Sequence, residues 1–524
     1  MTRKAKTAIV ALSTLIVYIS VNSLLRTYRP SYFIWCDEDR DDFRWIATSR
    51  SWLDRKSCRW FGICGLWHLH VARGPFGHRN PAKWSGSDES DEFDPWRSFW
   101  LSGADDAKWD AEERAQRKIP NYVFDYAPLV HLYSGEQFWP SDIAEHLYHT
   151  TPALNYTTIE TKSDHPTLKN LHELNQWGTR NVFLTSNDDV SSRPPWLEGE
   201  NNIPQSGDRV QESWADWDGR VDGKIPGDTP EDRAHWLDLR HLELHEHEQE
   251  QKSPEALERD SLEAHQRLRQ ELRKRYGGKP IQEPINDGPD HDRKGGRSDA
   301  PAILLVMDKG DGVVDAFWFF FYSFNLGTTV FDVRFGNHIG DWEHCLVRFH
   351  HGQPKALFFS AHAAGEAYKY EAVEKIGKRP VIYSAEGSHA MYATPDVHPY
   401  ILPFGILYDV TDRGPLWDPT LNSHTYTYDF DNDKLRASTF SPNAPTEWFD
   451  FKGHWGDKFY PLSDSRQYRF AGQYHFVNGP LGPRFKHLNR YKVCQGPDNS
   501  HCAVKDFIGE AGRIPQWGQY GTGE

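Results

Sequence analysis

None of the six cysteines is spaced as a CxxC pair, which leaves a zinc ribbon without support. No P-loop, HExxH run or dinucleotide-binding fingerprint occurs, so nucleotide binding and zinc-protease chemistry lack their signatures. The GxSxG elbow of serine hydrolases is missing as well. Positive charge is in deficit: 60 Lys and Arg stand against 75 Asp and Glu in 524 residues, a formal net charge of -15. Such a surface repels phosphate backbones, which argues against nucleic acid as a partner. It also argues against a general basic surface for anionic lipid. Apolar residues make up only 38%, so polar insertions must accompany any core in a chain of this length. No internal repeat of fixed period is found.

Aromatic residues are plentiful, at 14% with 21 Trp, which excludes wholesale disorder. One long uncharged apolar run exists, Thr7–Leu25, behind Arg3, Lys4 and Lys6 and ahead of Arg26 and Arg29. Its nineteen residues are close to the length that spans a bilayer as a helix. The basic side would stay cytoplasmic over residues 1–6, leaving the rest luminal or outside. A cleaved signal peptide is the rival reading. In a luminal setting an even cysteine count is compatible with disulfides, and Cys494–Cys502 is the pair expected first. Cys345, inside an apolar pattern, reads as a buried free thiol. Asn155-Tyr-Thr157 is the single N-glycosylation sequon.

Residues 30–118 are rich in Trp, Arg, Asp and Gly with few clear periods, and read as an irregular, partly disulfide-tied segment. From about residue 119 to 480 a β-rich domain is expected. Short apolar and aromatic runs bounded by turn residues begin at Asn121–Pro128 and Leu129–Tyr133. They resume at Ala302–Met307, Ala316–Ser323, Cys345–Phe349, Ala356–Ser360, Pro380–Ser384 and Tyr426–Phe430. A polar insertion interrupts them over about 201–300. There Ser253 and Pro254 open a charged helix that Gly277 and Gly278 close, with only a weak apolar stripe. Residues 481–524 form a Cys-containing tail. The sum is a mainly β chain, a β-sandwich with long loops, preceded by a transmembrane helix and interrupted by a charged helical insertion.

The densest polar constellation is Gly336-Asn-His-Ile-Gly-Asp-Trp-Glu-His344. As a strand after Gly340, it puts Trp342, His344, Leu346 and Arg348 on one face. Asp341, Glu343, Cys345, Val347 and Phe349 share the other. Two carboxylates thus point the same way, with His338 three residues back. Oxygen ligands plus an imidazole suit Ca, Mg or Mn better than zinc, so His338, Asp341 and Glu343 are a candidate cation site. A non-metal polar site and a structural network are the alternatives. The second cluster, Tyr383-Ser-Ala-Glu-Gly-Ser-His389, carries Glu386, Ser388 and His389 into a glycine turn. It is expected to converge with the first across the sheet. Asp412 and Trp417, in the loop Asp409–Pro419, and Glu366 are further candidates for ligand binding, with His344.

Read together, these runs resemble the vacuolar protein sorting-associated protein 62 family, found in fungi with relatives in plants. The resemblance rests on Tyr126–Leu132, Phe138-Trp-Pro-Ser141, Leu184–Asp188, Tyr322–Gly327, Gly336–Phe349, Tyr383–Ala393 and Thr411–Pro419. It implies a role in delivering proteins to the vacuole and no settled enzymatic activity. A more local likeness is to the necrosis- and ethylene-inducing cytolysins, β-sandwiches that bind a divalent cation and sphingolipid head groups. His338, Asp341 and Glu343 match that spacing, while Asn325 stands near an acidic ligand of those toxins.

The leading expectation is a membrane-anchored luminal binding module in vacuolar protein sorting, held by residues 7–25 and placed in the vacuole or endosome. A cation-dependent glycan- or lipid head-group-binding protein is the second. A metal-dependent hydrolase, with the same ligands activating water, is the third.

Overall fold

The computed structural model describes residues 34–69, 94–160, 165–205, 295–330, 332–400, 407–470, 472–496, 501–506 and 508, with scattered positions between 13 and 29. In chain order the elements that matter here begin with α1 (Asp37–Thr48) and α2 (Trp52–Phe61). Next come β1 (Leu129–His131), α3 (Ile143–Tyr148), β2 (Thr150–Leu154) and β3 (Val182–Ser186). Beyond the insertion lie β4 (Ala302–Gly310), β5 (Val313–Asn325), β6 (His338–His350), β7 (Gln353–Ala361) and β8 (Ala364–Lys369). They are followed by β9 (Arg379–Ser384), β10 (Met391–Tyr392), β11 (Leu416–Trp417), β12 (Ser423–Asp429), β13 (Lys434–Ala437) and β14 (Val504–Lys505).

Eight strands form the main sheet in the order β13-β12-β4-β5-β6-β7-β8-β14, with the four central ones antiparallel. β5 reads Ala316-Phe-Trp-Phe-Phe-Phe-Tyr322 with no polar alternation, because both of its faces are covered. Phe317, Phe319 and Phe321 enter one core with Trp342 and Leu346 of β6. Ala316, Trp318, Phe320 and Tyr322 enter the other with Cys345, Val347 and Phe349. The alternation expected for β6 is therefore the one observed.

The first core is closed by α3, by Leu168, Leu171 and Leu174, and by an aromatic loop bearing Trp448, Phe449, Phe451 and Trp455. Trp342 lies 4.7 Å from the Phe321 ring and 5.5 Å from that of Trp455. Truncating a side chain so enclosed costs about 3–5 kcal/mol. The second core is closed by a five-stranded sheet in which β9 pairs with β1 in parallel and with β10 antiparallel, and β1 pairs with β11. Among the described residues the chain is thus mainly β, built of several sheets, none of which closes into a barrel.

Several expectations need correction. Asn121–Asp125 is a helix, not a strand; Val123 is its one fully buried side chain, so the short apolar run carried no period that could tell the two apart. Residues 37–61 are regular, forming the helices α1 and α2. Their periods were hidden because the positions they bury include Asp41, Asp42 and Asp54. The charged helix expected between Ser253 and Gly277 lies outside the described residues. The ends of that insertion meet, since Gln205 and Arg297 exchange backbone hydrogen bonds of 2.9 and 3.0 Å. The anchor expected over Thr7–Leu25 falls largely outside the described residues. Among those described, no helix is long and apolar enough to cross a membrane.

Cys494 and Cys502 are joined, as are Cys58 and Cys64, while Cys36 and Cys345 are free. Asn155 occupies the turn after β2, with its side-chain oxygen accepting from Lys458 Nζ at 2.7 Å.

Candidate functional site

The end of β6 nearest Gly340 sets the site. Gly340 has φ 71°, and a side chain there would collide with the Trp455 carbonyl oxygen. The glycine therefore lets β6 start against the aromatic loop and aims Asp341 and Glu343 toward the five-stranded sheet. Opposite them the turn after β9 passes through Gly387, also left-handed, where a Cβ would sit 2.8 Å from that of Leu326.

That turn delivers two adjacent side chains to two different acids. His389 Nδ1 lies 3.0 Å from Asp341 Oδ2, and Ser388 Oγ donates to Asp409 Oδ1 at 2.9 Å. His389 Nε2 lies 3.0 Å from the Phe138 carbonyl oxygen. A neutral imidazole has one N–H and cannot serve two acceptors, so this geometry favours the imidazolium. Burial alone would depress the pKa of His389, but the bond to Asp341 and the charges of Glu136 and Asp341 outweigh it and raise it. For Asp341 burial acts upward, and the bond from His389 with the charges of His338 and His389 brings it below the usual carboxylate value. The Tyr322 ring stacks on His389 at 3.7 Å and 3°. An imidazolium against an aromatic face gains further in this desolvated setting.

Asp409, in the strand Leu407–Val410, is the second hub. Tyr392 Oη donates to its Oδ2 at 2.7 Å, and His362 Nε2 lies 2.7 Å from the same oxygen. Burial opposes its ionisation, yet the charge and hydrogen bond of His362 hold its pKa below the ordinary value. His362 is shifted upward, the charge of Asp409 outweighing its own burial. Both His362 and His389 adopt left-handed backbone, φ 54° and 55°, a conformation that costs a non-glycine residue free energy and is held by its surroundings.

Glu343 accepts from Ser360 Oγ, which itself accepts from the His344 N–H at 2.7 Å. Burial first, and then the neighbouring charge of Asp341, push its pKa up to about 7. The site therefore holds two acid–histidine pairs, each with its histidine shifted upward and its acid shifted downward, and one carboxyl poised near neutrality.

Other expected residues sit elsewhere. His338 Nδ1 is 2.6 Å from the Gly340 carbonyl oxygen, and burial lowers its pKa. Asn325 spends its amide on the Gly336 carbonyl at 3.0 Å. His344 points to the opposite face, 5.1 Å from the Phe319 ring, with Nε2 3.4 Å from Arg490 Nη2. Glu366 pairs with Lys505 at 2.6 Å. Glu386, raised to about 7 chiefly by burial and then by Glu136, lies near Asp412, which accepts from the Ser134 N–H at 2.8 Å. Trp417 is buried against Phe320, with ring centroids 5.2 Å apart.

Glu136, Ser360, His362 and Asp409 are the site residues the sequence did not single out. Asp409 opens a run already noticed, and Glu136 stands two residues before Phe138-Trp-Pro-Ser141, but no spacing links them.

His338, Asp341 and Glu343, the expected cation ligands, are not drawn together as one set here. They do not bring one ligand atom each within 4.8 Å of the others. Among the described residues the one group that does is Asp42, Cys58 and Cys64, whose two sulfurs are spent on each other in a disulfide.

The architecture and site define a mainly β protein with a buried acid–histidine network between two sheets. The profile described as vacuolar protein sorting-associated protein 62 matches residues 310–462, which carry most of that network. The chain is 34% identical over 438 residues to TDA6 of Saccharomyces cerevisiae, whose name assigns it provisionally to vacuolar protein sorting, covering 75% of this chain and 73% of that one. It is 32% identical over 415 residues to vacuolar protein sorting-associated protein 62 of the same yeast, covering 72% and 68%. The chain belongs to the vacuolar protein sorting-associated protein 62 family. Among solved structures, Necrosis and Ethylene inducing Protein 2 from the causal agent of cocoa's witches' broom disease is 20% identical, at a TM-score of 0.15. That match covers 18% of this chain and 45% of the other, too little to carry an argument.

Proposed function

We propose that this protein is a non-catalytic binding module in vacuolar protein sorting, attached to a membrane through residues 7–25 with its β-rich mass on the luminal side. The names of its yeast relatives support the sorting role. The observation that carries the non-catalytic part is that the hubs Asp341 and Asp409 already meet donors from their own chain. A general base or nucleophile must instead reach a substrate proton or carbon within hydrogen-bond distance. Two open clefts, one beside α1 and one beside Tyr148, are lined by other residues than these acids.

The pair His389–Asp341 also supports a network without a metal ion, because the imidazolium supplies the positive charge that a cation would bring to Asp341. A cation-dependent glycan or lipid head-group site is the reading this disfavours.

The experiment is deletion of the gene in its host, followed by measurement of vacuolar hydrolase delivery. Missorted hydrolases, restored by the wild-type chain, support the proposal. Normal delivery in the deletion strain overturns it.

A further inference from the structure

The helix α2 is built inside out. It buries Asp54 and Cys58, and exposes Trp52 at 64%, Leu53 at 59%, Trp60 at 44% and Phe61 at 53%. Trp35 ahead of α1 and Trp67 beyond α2 are exposed at 85% and 80%.

The inversion is maintained by specific bonds. Asp54 accepts from Trp45 Nε1 at 2.7 Å and from the Leu66 N–H at 3.2 Å, and Cys58 is tied to Cys64. The polar side of α2 is thus its anchor to α1, and its apolar side is free to meet something else. Large apolar side chains exposed together on one helix face mark an interaction site.

The chemistry of the patch selects the partner. Tryptophan is the residue most suited to the boundary between hydrocarbon and water. Apart from buried Asp54, the charged side chains of α2 are all basic: Arg55, Lys56 and Arg59 are half-buried, Arg55 bonds the Ser49 carbonyl oxygen, and exposed Arg50 precedes the helix. Lys56 Nζ lies 5.2 Å over the Trp60 ring, the posture of a long cation that covers apolar surface while reaching outward. The overall charge of -15 makes this basic, aromatic surface a local exception. It follows closely on the apolar run Thr7–Leu25.

We infer that α2 is an interfacial membrane contact, lying in the head-group layer of a bilayer with Trp52, Leu53, Trp60 and Phe61 inserted and its basic residues against lipid phosphates. The inference takes its orientation from the membrane attachment proposed above.

The test uses the full chain in vesicles of phosphatidylcholine with phosphatidylserine. Leu53→Cys, Trp60→Cys and Phe440→Cys are labelled one at a time with an environment-sensitive fluorophore, in a Cys36→Ser background. Lipids carrying a shallow quencher should quench positions 53 and 60 several-fold more than position 440, another exposed apolar residue, which packs against Phe124. Salt should weaken the effect. Equal quenching at all three positions overturns the inference. So does shielding of the labels without vesicles, which would mean cover by the chain itself or by a second copy. A Val17→Cys label separates the two ideas: quenching there but not at 53 and 60 leaves the attachment standing and removes the α2 contact. The reverse pattern keeps the contact and removes the attachment.

Discussion

His389 Nδ1 sits 3.0 Å from Asp341 Oδ2 while its other ring nitrogen sits 3.0 Å from the Phe138 carbonyl oxygen. This ring joins the turn after β9 to the start of β6 and to the segment before α3. It does so as a charged group in a place water does not reach. Removing one partner of a buried charge pair leaves the other uncompensated, at about 3–5 kcal/mol. Asp341→Asn and His389→Asn should each destabilise the chain by about that amount in denaturant unfolding. Asparagine tolerates the left-handed backbone at 389, so the variant adds no backbone strain to the loss of the ring and its charge. The double variant should lose far less than the sum. Additive losses would show that the two groups are not coupled.

Stability should pass through a maximum between about pH 6 and 7. Glu343 and Glu386 titrate near 7 in the fold and Glu145 near 8, above their ordinary value of 4.5. Each holds a proton that the unfolded chain has lost, so stability rises as pH falls through those values. His389 and His362, with raised pKa values, act in the same direction: their contribution is present below 6.5 and lost as pH rises through their folded values. Buried histidines act oppositely below 6.5. His146 is lowered to about 3 and His424 to about 4, mainly by burial, and His338, His344 and His398 are lowered too. The unfolded chain takes up protons at these positions that the fold refuses. Thermal unfolding scanned from pH 5 to 9 checks this, and a Tm that climbs steadily across the range would contradict it.

Glu343→Gln removes the carboxyl that stands beside Asp341 and keeps an oxygen for the Ser360 hydroxyl. It should stabilise the chain at pH 8, where the native Glu343 is forced to ionise, and do so less at pH 5.5, where only part of that cost has developed. The comparison is the difference in Tm between variant and wild type at the two pH values. Equal destabilisation at both would mean that Glu343 is ionised and paired throughout.

Peptide mapping without reductant should recover Cys58–Cys64 and Cys494–Cys502, with Cys36 and Cys345 unpaired. Cys345, wholly buried on β6, should resist alkylation until the chain unfolds. Rapid native labelling of Cys345 would contradict its place in the core.

The strand core was legible because residues 316–322 are almost wholly apolar and β6 alternates faithfully after Gly340. That alternation alone placed Asp341 and Glu343 together, and the glycine turn at Gly387 suggested where His389 would come from. Glu136, His362 and Asp409 were not legible, since Asp409 meets His362 across 47 positions and His389 lies 253 positions beyond Glu136. Such contacts come from sheet stacking, not from any local spacing. α1 and α2 were missed for a different reason: their buried stripe includes aspartates, so hydrophobic periodicity pointed nowhere. His344 shows the same rule from the other side, because alternation already assigned it to the face away from the acids.

Elemental analysis of the purified full chain, wild type beside Asp341→Asn, tests the account most directly. An imidazolium that neutralises Asp341 leaves no role for a cation there, so both proteins should carry divalent metal well below one per chain. One equivalent of calcium, magnesium or manganese in the wild type, lost in Asp341→Asn, would contradict it.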